Sequence, residues 1–181
     1  MHERGFTLLE VLVAIAVLGA AALITGRFLA ATTSQMALSR AQASTAAFAV
    51  TRMEQLRALR WTYDATGAPQ SDTSTDFSTS PPTHSGSGLS PSPPMALQEN
   101  TPGFVDYLDE RGAWVGTGAQ PPRSAMFVRR WSIDVPSDGT ADTLVLQVVV
   151  RRVVDDIGAA RAARGARAES RFVTVRTRIA R

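Results

Sequence analysis

Residues Phe6–Gly26 read FTLLEVLVAIAVLGAAALITG, and Glu10 is the only charged residue among them. Val11–Ile24 is an uninterrupted run of apolar residues and glycine. As an α-helix, at about 1.5 Å per residue, Phe6–Gly26 reaches roughly 30 Å. That is about the thickness of a bilayer's hydrocarbon core. The segment is long enough to span a membrane, which makes Glu10 an anomaly. A carboxylate inside an apolar helix costs on the order of 2–4 kcal/mol to insert, so a partner is expected. Arg4 is six residues away and does not share its helical face.

The stretch GFTLLEVLVAIAVLG resembles the N-terminal motif of type IV prepilins and type II secretion pseudopilins. Glycine, aromatic residue and glutamate stand together at the family's spacing. The resemblance covers about the first 25 residues. It implies that a prepilin peptidase cuts after Gly5 and that the new N-terminal residue, Phe6, is methylated. It also implies that Glu10 is the assembly glutamate. A cut there would place an α-amino group, with a reference pKa of about 7.7–8, near Glu10. In a packed assembly that amine could come from a neighbouring subunit. At about 4 Å and an effective dielectric near 20, such a pair gains roughly 4 kcal/mol before desolvation, enough to offset the insertion cost. Glu3 offsets Arg4 in the leader, so orientation rests on the resemblance more than on an arginine bias.

Two plainer readings compete. A conventional secretory signal would suit the apolar run and the alanines at Ala30–Ala31, but leaves Glu10 unexplained. An ordinary anchor would put Glu10 at the membrane interface. The prepilin reading explains Gly5, Phe6 and Glu10 together.

From Ala30 to Trp61 there is no proline or glycine, and helix formers dominate. Ala46, Ala49, Met53, Leu56 and Leu59 recur at spacings of three and four, giving one apolar stripe. The expected helix is nearly continuous from Phe6 to Trp61. Residues 64–102 hold 7 of the 10 prolines, and 24 of their 39 positions are Ser, Thr, Pro or Gly. This composition predicts a flexible loop, where Ser/Thr-linked glycosylation is one open reading. Beyond Gly103 the pattern turns β-like. Phe127, Trp131, Ile133 and Val135 alternate with Arg130, Ser132 and Asp134. Thr143–Val154 is apolar on both faces and Arg171–Ile179 alternates again. The three strands read as an antiparallel meander laid on the helical stripe: an α+β, pilin-like fold, with a long N-terminal transmembrane and spine helix and a small C-terminal sheet head. Its segments are a leader (1–5), a membrane and assembly half-helix (6–26), an amphipathic half-helix (27–61), the loop (64–102) and the sheet (103–181).

The chain has no cysteine, and all nineteen of its basic residues are arginine. Disulfides, thiol nucleophiles and lysine chemistry are therefore excluded. The two histidines, His2 and His84, stand far apart. Residues 151–181 carry nine arginines against three acids. There Arg161, Arg164, Arg167 and Arg171 are candidates for phosphate contact, on nucleic acid or lipid headgroups. A solvated Ala/Arg connection between strands is the plainer reading. Asp134, Asp138 and Asp142 flank the turn at Gly139 and are candidate calcium ligands, although they lack an EF-hand pattern and suit a polar turn equally well. No cofactor is otherwise expected, and no nucleophile, acid–base pair or metal site emerges, so the expectation is a non-enzyme.

The resemblance implies a structural subunit of a filament. TRMEQLRALRW, at 51–61, resembles the PilV kind of minor pilin, and type II minor pseudopilins stand close. The implied partners are other pilin subunits, met through the N-terminal helix, together with prepilin peptidase and inner-membrane lipid. The implied location is a single pass of the inner membrane with the C-terminal head in the periplasm, then the filament. A membrane-tethered DNA-binding pilin is the alternative.

Overall fold

Helix α1 runs from Leu8 to Ala58. Thr7 starts it by placing its hydroxyl 3.3 Å from the Glu10 amide, which satisfies one of the donors that every helix start leaves free. The computed structural model describes residues 7–137, 142–157 and 168–178. The chain divides into two compact units, 1–39 and 40–181, and each is described on its own terms.

In the first unit every described side chain up to Ala31 is exposed. Leu8, Leu12, Ile15, Leu18, Leu23 and Phe28 all leave apolar surface uncovered. The helix is long and apolar enough to cross a membrane. The Thr25 hydroxyl suits that setting, since it donates to the Ala21 carbonyl at 2.8 Å and so is satisfied within the helix.

In the second unit α1 meets a sheet. Strands β1 (Trp61–Tyr63) and β2 (Pro69–Ser71) form a small hairpin. Strands β3 (Val105–Leu108), β4 (Trp114–Gly116), β5 (Phe127–Asp134), β6 (Thr143–Arg152) and β7 (Glu169–Thr177) form an antiparallel sheet in the order β4-β3-β5-β6-β7. A short helix, α2 (Val153–Ile157), follows β6. The α+β class expected from the sequence is therefore what is found. Ala49, Met53, Leu56 and Leu59 pack against Phe104, Trp131, Ile133, Leu146, Val148 and Leu89 in one core.

The details depart from expectation in four places. The helix ends at Ala58 rather than Trp61, because Trp61 pairs with Ser71 in the hairpin. The last turn is capped instead by Arg176, whose Nη1 donates to the Leu56 carbonyl at 3.3 Å, a cation at the negative end of the helix dipole.

Residues 64–102 are not a featureless loop. Asp64, Asp72 and Asp76 each accept backbone N–H groups two to four residues on. The Ser92 amide donates to the Ile133 carbonyl at 2.8 Å, and Leu89 is fully buried. Short side-chain acceptors supply locally what composition alone could not.

The sheet has five strands instead of three. The β3–β4 hairpin is the addition, and β6 lies inside the sheet between β5 and β7. Val135 falls outside β5 and is exposed. In β7, Val173 and Val175 are exposed, while Ser170 and Arg176, on the opposite face of the strand, reach α1. Ser170 lies 2.8 Å from the Thr45 hydroxyl. Ile179 lies outside the described residues.

Polar groups also penetrate the core. Asp106, fully buried, accepts from Arg129 Nε at 2.9 Å, Arg129 Nη2 at 2.7 Å and Arg52 Nη2 at 2.5 Å. The Arg52 guanidinium stacks 4.4 Å above the Trp131 ring. Arg52 thus sits on the same buried face as Ala49 and Leu56. This ion cluster ties α1 to β3 and β5.

Candidate assembly and processing site

The hydroxyl and amide of Thr7 both donate to Glu10 Oε2, each at 3.0 Å. With the reciprocal bond from the Glu10 amide, this is a capping box, a threonine followed three residues later by glutamate. The signal stood in the sequence as Thr7-Leu8-Leu9-Glu10, and reading Glu10 only as a membrane anomaly passes over it. Thr7 is a neutral partner. Among the described residues no cation pairs with Glu10, so its negative charge is still unmatched. Gly5 and Phe6 lie outside the described residues.

The other candidates are dispersed. Arg161, Arg164 and Arg167 lie outside the described residues, and Arg171 is on β7, donating to the Gln147 amide oxygen at 2.5 Å. Asp138 is also outside them. Asp134 is engaged by Ser132 and Gln147, at 2.8 and 3.1 Å. Asp142 pairs with Arg178 at 3.3 Å, and its carbonyl accepts from the Trp61 indole at 2.9 Å. Among the described residues no three acidic or imidazole groups converge as metal ligands would.

A second, partly buried ion pair stabilises the sheet's other face. Arg130 reaches Asp156 through Nη1 at 2.8 Å and Nη2 at 2.6 Å, with Asn100 accepting from Nε at 3.0 Å. Burial pushes the Asp156 carboxyl up, but hydrogen bonding and charge from Arg130, helped by Arg151, outweigh it and hold the group below the ordinary aspartate range. A carboxyl lowered on folding stabilises the native state above its unfolded pKa, about 3.9. That contribution is lost as pH falls through the lower folded value. Asp156→Asn is expected to cost about 1.5–3 kcal/mol at neutral pH, the range for hydrogen bonds to charged groups. It should also flatten the fall in stability below about pH 4. Denaturation curves across that pH range check this, and parallel curves for the two proteins would contradict it.

Comparison with known proteins adds one finding. Residues 1–26 match the family described as the prokaryotic N-terminal methylation motif. No curated protein and no solved structure matches the chain. Those residues carry the N-terminal motif that marks type IV prepilins and pseudopilins, and here an apolar helix and an antiparallel sheet follow it.

Proposed function

We propose that the protein is a minor pilin of the PilV kind. In this reading it is inserted in the inner membrane, cut after Gly5, methylated on Phe6 and packed into a type IV pilus through its N-terminal helix. It is a structural subunit and not an enzyme. The observation that carries this reading is an apolar helix, bare along its first turns, with one carboxylate that pairs with no cation among the described residues. A neighbouring subunit answers both needs, since helix packing covers the apolar side chains and a cleaved N-terminus supplies the cation. The resemblance of residues 51–61 to PilV-type minor pilins favours a minor role. In its native host the chain is expected in sheared pilus fractions, and expected to vanish from them when prepilin peptidase is deleted. Recovery only in a secretion pseudopilus would replace the pilus reading. Recovery in neither would remove the filament reading altogether.

A further inference from the structure

The Arg52–Asp106–Arg129 cluster borders a cavity of about 510 Å³. Two guanidiniums face a single carboxylate at hydrogen-bonding distance, which leaves one positive charge over. Asp76 attracts Arg52 only from beyond hydrogen-bonding range. Arg52 is almost wholly buried, yet among the described residues its Nε has no hydrogen-bond partner, and the Gln55 amide oxygen on the next turn has none either. Both side chains line the cavity, as do the apolar groups Phe77, Leu108 and Trp114. Burial pulls the Arg52 guanidinium down to about 10, against the opposing pull of Asp106, so it stays charged at neutral pH.

An unsatisfied buried donor on a charged group is rare in a native core and needs a partner. A planar guanidinium with an unpartnered N–H suits the oxygens of a carboxylate. The hydrogen-bonded cluster carries one positive charge, with Asp76 farther off, which a monoanion matches and a dianionic phosphate exceeds. The Gln55 amide, turned over, exchanges its acceptor for NH₂ donors and adds a second contact. The aromatic and aliphatic wall accounts for the rest of the volume, within the usual range for small-ligand sites.

We infer that this cavity binds an apolar monocarboxylate, with the carboxylate on Arg52 and Gln55 and the apolar body against Phe77, Leu108 and Trp114. The acid can be a free small molecule or the C-terminal carboxylate of a peptide chain, since both present the same group. The inference does not depend on the chain entering a filament.

The test uses the full-length chain in detergent and follows tryptophan fluorescence, because Trp114 lines the cavity. Three probes are titrated: 3-phenylpropionate, 3-phenylpropionamide, and a tetrapeptide ending in phenylalanine with a free carboxylate. Saturable binding is expected for at least one acid, with the neutral amide weaker by about tenfold or more, the loss of one charge-assisted hydrogen bond. A stronger response to 3-phenylpropionate assigns a small-molecule ligand, and a stronger response to the tetrapeptide assigns a chain terminus. Ala113→Trp fills the cavity while leaving the ion cluster intact, and should weaken the acid by about tenfold or more. Arg52→Gln should do the same if it folds. The inference is overturned if neither acid saturates below about 10 mM, if the amide binds equally well, or if Ala113→Trp binds like the parent.

Discussion

Replacing Glu10 by Ala or by Gln is expected to leave membrane insertion intact and to reduce incorporation into filaments at least tenfold. The two substitutions separate two roles that share one side chain. Glutamine at the third helical position still closes a capping box with Thr7, so Glu10→Gln keeps the helix start and removes only the charge. If Glu10 serves in assembly through its charge, Ala and Gln should fail alike. A pair at about 4 Å and an effective dielectric near 20 is worth roughly 4 kcal/mol before desolvation, and a third of that already gives tenfold. Thr7→Val is the converse control. It removes the hydroxyl that Glu10 uses within its own chain and leaves the charge, so incorporation should be near normal. Quantifying each variant, as sole copy, in sheared filaments and in membranes checks the set. Normal incorporation of Glu10→Gln would show that capping, not charge, is what the position requires.

The second large effect is expected at Asp106. Asp106→Asn keeps the shape of the side chain but leaves Arg52 and Arg129 buried beside each other with no counter-charge at hydrogen-bonding distance. Breaking a buried ion cluster by removing one partner typically costs about 3–5 kcal/mol. Domains of this kind are stable by only about 5–15 kcal/mol. The variant should therefore unfold at a much lower denaturant concentration, or fail to accumulate. The damage should reach the contact between α1 and the sheet first, because Arg52 belongs to α1, Asp106 to β3 and Arg129 to β5. Tryptophan fluorescence reports it directly, since the Trp131 ring lies under the Arg52 guanidinium. The exposed pair Arg57–Glu54 is the comparison, and removing it should change little. A denaturation midpoint for Asp106→Asn equal to the parent's would show that the cluster contributes no net stability.

What the sequence made legible was whatever depends on long apolar periodicity. The first helix, the stripe from Ala49 to Leu59 and the strands β5 and β6 all announce themselves by the spacing of large apolar residues. The two hairpins did not, because their strands are only three or four residues long and carry little period. Their turns, however, share one pattern. Asp64-Ala65-Thr66-Gly67-Ala68 and Asp109-Glu110-Arg111-Gly112-Ala113 fold alike. In each the aspartate Oδ1 accepts from the amides two and four residues later, at 2.8–2.9 Å. In each the glycine takes a φ of +83°, a conformation costly to other residues. Read as turn chemistry, aspartate and glycine three apart would have placed both hairpins. Arg52 was hidden for a different reason. A charged residue at a stripe position looks like a break in the stripe, and its carboxylate partner lies 54 residues away, beyond any local pattern. For the candidate assembly site the charge anomaly of Glu10 is legible in the sequence, while its local partner Thr7 shows only as a capping box.

The filament reading depends on one covalent event, the cut that frees an amine at Phe6. The intact mass of the chain purified from its native membrane measures that event directly. The expected mass lacks Met1–Gly5 and carries one extra methyl group. A chain that still begins at Met1 would contradict the reading, because no amine would then stand at Phe6 to meet Glu10. A chain beginning at Thr32 would contradict it too, since the apolar helix would have been a secretory signal.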